Sequence, residues 1–559
     1  MPFQRLVRSR PVAMAALAPM VLALLAVSPS AGASPDSRHG DHHRFRVGVA
    51  SSPRGLVSGG DARLRVTVPA GVSLDDVVVT TDGGHVSGFA PVPGQHLLEG
   101  VADELPPGDT TVTATIDNRG RGGRHASVTL TNHPLDGPMF SGPKQEPFFC
   151  ATSGDAAKAD LPASTEDDCR IDRKVDFVYL SERSDQFEPY DPASPPVAAD
   201  IATIVGTGQP AIYRWERGTI NRFIYSIAIP ASSQQAEQPS AYPAGWNRKL
   251  IYQFQGGVGI GHYQGDPSRD RMLQRYGLEH GYAVIYSTGT KTGVHYNLEL
   301  GAETATMVKD RFVGAYGVPD YTVGIGGSGG AIQQYIYGQN HPGLIDAAIP
   351  VKSYPDMITQ TIHVGDCELL ERWMDSEVIN EGDQTWRHWP NRTWLEGLSA
   401  VTAKANGVTN ELAALMPWMP PGSSECRNAW LGLSALALNP HYGTAPGITA
   451  EQQASVEWSH FADLVNIYGV GADGFARRTW DNVGVQYGLQ ALRDGNIGPA
   501  EFLDLNANVG SWKNEPEMVQ EGCPYVEQAC AKGDIDIWSE RNMNLSPDGG
   551  RTPALRAEA

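Results

Sequence analysis

Residues 321–338 read Tyr-Thr-Val-Gly-Ile-Gly-Gly-Ser-Gly-Gly-Ala-Ile-Gln-Gln-Tyr-Ile-Tyr-Gly. Tyr321, Val323 and Ile325 alternate as the apolar side of a short strand, and residues 331–337 carry a helical composition. Between them Gly326-Gly327-Ser328-Gly329-Gly330 fits G-x-S-x-G, a nucleophile elbow that holds a serine at the tip of a strand-to-helix turn. Side chains beside so sharp a turn would collide with the neighbouring strand and helix, so glycine has a physical task there. In a glycine-rich chain of this length the five-residue pattern alone arises by chance about half a time. The strand before it, the helix after it and the two extra glycines set it apart from a plain Gly-Ser turn.

A serine at such a turn also needs donors for the oxyanion, a base, and an acid that orients the base. The donors have a candidate. A strand at 250–254 runs into Gln255-Gly256-Gly257-Val258-Gly259-Ile260-Gly261-His262, a loop of the kind that leaves a backbone N–H open toward a developing oxyanion. Gly256 or Gly257 supplies one donor in this reading, and Gly329, directly after the serine, supplies the other. A phosphate-cradling loop is disfavoured because no G-K-[ST] follows. The literal G-x-G-x-x-G at 324–329 lies on a late strand, which speaks against a dinucleotide site.

Working outward, Arg5, Arg8 and Arg10 precede an apolar run at 12–27, and Ala31-Gly32-Ala33 offers a small-residue cleavage site. Residues 1–33 therefore read as a secretory signal peptide, and the protein as secreted. The run is short for a membrane span, and no later segment approaches about 20 uninterrupted apolar residues. Removing 1–33 takes away three arginines and no acid, which carries the formal charge from −20 to −23. A surface so acidic attracts neither nucleic acid nor anionic membranes. Six cysteines in an exported chain imply three disulfides, most simply between sequence neighbours: Cys150–Cys169, Cys367–Cys426 and Cys523–Cys530. No pair has zinc-ligand spacing, so no metal is expected.

Residues 34–44, with His39, His42 and His43, read as a disordered segment. Over 45–132 short β-rich runs alternate with Gly, Pro and Asp turns, which points to a small β-sandwich. A Pro/Gly-rich linker at 133–149 leads into a larger domain, 150–540. There, strands near 177–180, 223–230, 250–254, 282–286, 321–325 and 346–350 are interspersed with helices near 269–280, 302–316 and 331–340. That alternation predicts an α/β fold with a mostly parallel sheet covered on both faces. Residues 366–515, rich in Trp, Leu, Ala and Asn, read as a helical insertion over the sheet, and 541–559 as an irregular tail.

The succession of signal peptide, β-sandwich, Gln-Gly-Gly-Val-Gly loop (255–259), Gly-Gly-Ser-Gly-Gly elbow and helical insertion resembles a family of secreted bacterial α/β-hydrolases of unassigned function. That family is distantly similar to tannases and feruloyl esterases. The resemblance covers most of 45–540 and includes Thr479-Trp480-Asp481-Asn482-Val483-Gly484-Val485-Gln486-Tyr487-Gly488. It implies an α/β-hydrolase-like fold and hydrolysis of ester or related acyl bonds by a serine nucleophile, with no cofactor. It supplies no substrate.

In that fold the acid and the histidine normally follow the serine on later strands. This chain has no histidine after His460, and its tail carries no apolar strand. Either the sequence stops near 545, short of the acid and base, or the base lies inside the insertion. Truncation is the favoured expectation. Within the chain the candidate bases are His341, His363, His388, His441 and His460, with His460 preferred, and the candidate acid is Asp356. Two classes of function compete: a serine hydrolase acting on a small or polymeric ester, and a non-catalytic extracellular binding protein on a hydrolase scaffold. The cysteine reading has its own test. Peptide mapping of the unreduced protein is expected to recover the three neighbour pairs, and a crossed pair or a free thiol counts against it.

Overall fold

The computed structural model of the chain describes residues 44–92, 94–116, 123–166, 168–231, 239–259, 261–355, 357–397, 426, 429, 433–442, 459–478, 481–519 and 537–540. Its first strands form two four-stranded sheets. One runs β1 (Arg46–Val49), β3 (Ala62–Thr67), β6 (Leu97–Asp103), β5 (His85–Pro91); the other runs β2 (Val57–Ser58), β8 (Arg124–His133), β7 (Gly108–Ile116), β4 (Val77–Thr81). Along β7 buried Thr110, Val112, Ala114 and Ile116 alternate with more exposed neighbours, the period of two that a one-sided strand requires. Leu64, Val66, Leu98 and Ala102 of one sheet share a single apolar core with Val112, Ala114, Val128 and Leu130 of the other. Gly88, Pro91 and Gly100 within β5 and β6 are poor strand formers, which hides these two strands from a reading by propensity.

The larger sheet has eight strands in the order β10 (Phe187–Pro189), β9 (Lys174–Leu180), β11 (Ile212–Ile220), β12 (Phe223–Pro230), β14 (Ala283–Lys291), β13 (Lys249–Gln255), β15 (Tyr321–Gly327), β16 (Ala347–Val351). It is mixed, not mostly parallel. The four pairings from β10 to β14 are antiparallel, and only β14–β13, β13–β15 and β15–β16 are parallel. The cause is local. Asn221 and Arg222, with φ of 52° and 68°, turn β11 back into β12 in two residues, and a turn so short can only produce antiparallel neighbours. Parallel neighbours need helical crossovers. The short α1 (Ser153–Ala157) precedes the sheet, whereas α2 (Arg269–Met272), α3 (Arg275–Glu279), α4 (Leu298–Tyr316) and α5 (Gly329–Asn340) connect β13 through β16.

Helix α4 is buried along most of its length and joins the two parts of the molecule. Arg311 donates from Nε to Glu216 (2.9 Å) on the buried strand β11 and from Nη1 to Asp61 (3.1 Å) in the first sheet pair. Glu216 is fully buried and also accepts from Arg214 (3.0 Å) and Tyr225 (2.9 Å). Burial alone would raise its pKa, but the two guanidiniums prevail and hold it down at about 2. Arg63 reaches across to the carbonyls of Val313 and Gly314 (both 2.8 Å) at the C-terminal end of α4, where the helix dipole favours a cation.

After β16 the chain becomes helical at α6 (Met357–Ser376), directly beyond Pro355 and ahead of the expected start at 366. α6 and α7 (Trp389–Glu396) enclose a core of Leu369, Leu370, Trp373, Trp386, Tyr487 and Trp512, among others. Disulfides join Cys150 to Cys169 and Cys367 to Cys426, with Cα separations of 5.0 and 5.4 Å, ordinary values for such bridges. The third expected pair, Cys523–Cys530, lies outside the described residues. Among those residues no helix is long and apolar enough to cross a membrane.

Buried Asp310 on α4 accepts from the Ser58 N–H at 2.9 Å, and burial pushes its pKa up to about 7. Its carboxyl therefore keeps a proton in the folded protein that an unfolded chain has already lost above about pH 4. The folded state binds more protons than the unfolded one, so stability falls as pH rises between these values. Asp310→Asn, which retains an acceptor for Ser58, is expected to gain stability over the parent between about pH 4 and pH 7 and to keep that gain above. Melting curves across this range test it; an offset independent of pH would refute the assignment.

Candidate functional site

Ser328 stands between the end of β15 and the start of α5 with φ 57° and ψ −125°, a conformation unfavourable for a residue with a Cβ. Its backbone is fully engaged. The N–H donates to Val351 O on β16 (3.0 Å), and the carbonyl accepts from Ala331 (2.8 Å) and Ile332 (3.3 Å). The residue is half-exposed, and its hydroxyl makes no hydrogen bond to a described residue.

Three backbone segments meet around this turn. A methyl group on Gly256 would lie 2.5 Å from Gly327 O and 2.9 Å from Ser328 Cβ; one on Gly329 would lie 2.0 Å from Thr292 Oγ1. The third segment, residues 292–293 beyond β14, is one that sequence reasoning missed. Thr292 Oγ1 donates to Gly257 O (2.6 Å) and its N–H to Gln255 O (3.0 Å), which locks the glycine loop against the elbow. A Thr-Gly pair after a strand is too common a signal to have found it. The N–H groups of Gly257 and Gly329 have no backbone partner among the described residues. That of Gly329 belongs to the first turn of α5, where amide protons are unpaired and the helix dipole is positive. Two amide groups without described backbone partners thus lie beside one crowded strand-to-helix turn.

The histidines are scattered. His262 is buried, and its Nδ1 lies 2.9 Å from Pro147 O, so it ties the glycine loop to the preceding linker. His341 ends α5, a full helix away from Ser328, and stacks on Phe140 at 5.5 Å. His388 and His441 are exposed. His460 opens the helix His460–Tyr468, packs its ring 4.9 Å from Tyr296 just beyond the Thr292 segment, and has a buried Nδ1 without a hydrogen bond among the described residues. Burial lowers its pKa to about 4, so its imidazole is neutral at ordinary pH. His363 is exposed on α6. Asp356 lies outside the described residues.

On the same helix Asp366 Oδ1 accepts from the Tyr487 hydroxyl at 2.6 Å. Tyr487 is itself held by Asn506, which accepts from the Tyr487 N–H (2.9 Å) and donates to its carbonyl (2.8 Å). Val258 of the glycine loop packs against the core of this helical part, so its helices border the elbow.

The model of a family described as "Tannase-like family of unknown function (DUF6351)" matches residues 47–545. No curated protein matches the sequence. Among solved structures, feruloyl esterase B from Aspergillus oryzae is similar at 12% identity over 54% of this chain and 54% of its own, with a TM-score of 0.23. A carboxylesterase of Geobacillus stearothermophilus is similar at 16% identity over 56% and 60%, with a TM-score of 0.18. For oligopeptidase B from Leishmania major the values are 11%, 58%, 50% and 0.19. The chain thus spans about half the length of the feruloyl esterase.

Gly256→Ala is expected to disturb the elbow, because the atom it meets is backbone and cannot swing aside. Labelling of Ser328 by a fluorophosphonate should slow by about a hundredfold, the lower end for loss of an oxyanion donor. Gly48→Ala, whose added methyl group meets nothing within 4 Å, should label like the parent. Equal labelling of both variants would show that the contact has no bearing on the serine.

Proposed function

The chain belongs to this tannase-like family, and on that premise we propose that it is a secreted serine hydrolase of ester bonds on an α/β-hydrolase-type sheet. The observation that carries the reading is the backbone of Ser328, held at φ 57° between a strand and a helix and pressed against a glycine loop. A strained turn persists only where its surroundings enforce it, and such turns cluster at functional sites. In this reading Ser328 Oγ attacks the ester carbonyl, the carbonyl oxygen becomes an oxyanion, and the N–H groups of Gly257 and Gly329 stabilise it. The leaving alcohol departs with a proton, and water then releases the acid from the serine. Preceding disulfides and an acidic surface accord with an extracellular setting.

One observation favours the alternative, an extracellular binding protein without catalysis: the Ser328 hydroxyl has no hydrogen-bonded base among the described residues. Oxyanion stabilisation and binding alone can still leave about 10³–10⁴-fold catalysis over water, so slow turnover of activated aryl esters is expected with little on unactivated ones. A fluorophosphonate should label the folded protein at Ser328 in one-to-one stoichiometry, and Ser328→Ala should abolish both labelling and aryl-ester turnover. A folded full-length protein that takes up no label would favour the binder.

A further inference from the structure

Resting on the serine-hydrolase reading, we propose that His363 is the general base for Ser328 and that Asp366 and Tyr487 position it. Five histidines follow the serine in sequence. His341 lies at the far end of α5, His388 and His441 lie on segments that follow α6, and His460 is wedged against Tyr296 with its Nδ1 buried. His363 differs in three respects. Helix α6 starts six residues beyond Val351, whose carbonyl receives the Ser328 N–H, and His363 follows in its second turn, about 9 Å along the axis. Ile362, its neighbour, and Val258, the neighbour of Gly257, pack against the same apolar cluster. As a residue His363 is exposed, with a ring nitrogen within 4.8 Å of both sulfurs of the Cys367–Cys426 bridge.

A carboxylate stands on the same helix as His363. Asp366 is three residues on from His363, and residues so spaced share one helix face. Its Oδ1 is fixed by the Tyr487 hydroxyl at 2.6 Å, and Tyr487 is fixed by Asn506. Burial raises the Asp366 pKa, while the Tyr487 hydrogen bond and the charge of His363 lower it. The 479–488 motif, which the elbow and oxyanion loop leave without a task, thereby acquires one: its tyrosine clamps the acid that orients the base. The chain order becomes serine, histidine, aspartate, with the last two on a helix instead of on two later strands.

Proton transfers balance. As the bond from Ser328 Oγ to the carbonyl carbon forms, His363 takes the hydroxyl proton. As the carbon–oxygen bond to the alcohol breaks, His363 returns that proton to the leaving oxygen. Water then attacks the acyl-serine, His363 accepts a proton from it, and the proton passes to Ser328 Oγ as the acid is released.

The test uses full-length protein, a fluorophosphonate probe and p-nitrophenyl acetate. His363→Ala is expected to slow Ser328 labelling and turnover by about 10²–10⁴-fold, and added imidazole should restore part of the loss. His363→Gln serves should the alanine variant lose its melting transition. Asp366→Asn and Tyr487→Phe should weaken labelling and displace its pH profile downward, and Asp366→Glu should recover part of it. Labelling of a folded His363 variant at the parental rate overturns the proposal, as does a loss that imidazole cannot rescue, or one confined to His460→Ala. Failure of the parent protein to label at Ser328 overturns the hydrolase reading and this proposal together. Parental labelling that survives in His363 variants sinks this proposal alone.

Discussion

The close approach of three backbone segments governs the C-terminal edge of the sheet. Residues 255–257, 292–293 and 326–330 lie so near one another that a methyl group on Gly256 or Gly329 would overlap its neighbours. Ser328 can occupy its unfavourable φ because its N–H is taken by Val351 and its carbonyl by the first turn of α5. The strain is local, and the surrounding hydrogen bonds offset it. Two amide protons there have no backbone partner among the described residues.

A second constraint joins the two parts of the molecule through buried charge. Glu216 lies inside the sheet with no exposure and survives there because Arg311 and Arg214 both reach it. Breaking such a pair would strand an unpaired charge and is costly, by about 3–5 kcal/mol. Since Arg311 also holds Asp61, and Arg63 holds the end of α4, the first sheet pair is docked by directional contacts. The helical part has its own version. Arg392 is buried on α7 between Glu371 and Asp375, and nearby Glu396 is driven toward its neutral form by burial and by Glu371. The guanidinium at the centre specifies how α6 and α7 meet.

Much of this was legible in the residues, and the exceptions have identifiable causes. The strands at 223–230, 249–255 and 321–327 and the helices α4 and α5 announce themselves through apolar runs and periodicity. β11 does not, because Arg214, Glu216 and Arg217 interrupt its apolar character, and only their partners on other elements make those charges compatible with burial. The sheet is less parallel than the strand–helix alternation implies for a related reason: strand signals carry no direction. Direction was decided by the two-residue turn at Asn221-Arg222.

The sequence by itself determined the glycine-flanked strand-to-helix turn at Ser328, the glycine loop, the neighbour pairing of Cys150–Cys169 and Cys367–Cys426, and the helical nature of α6 from 366 onward, since each follows from local steric and chain-entropy rules. It could not determine that Thr292 closes over the elbow, or that Tyr487 holds Asp366 across more than a hundred positions. Nor could it show that His460 is wedged against Tyr296 while His363 stands exposed. Those relations join residues that only the packing of α6 and its neighbours on the sheet brings together. Burial and hydrogen-bond partnership are properties of the folded chain, and no local pattern encodes them.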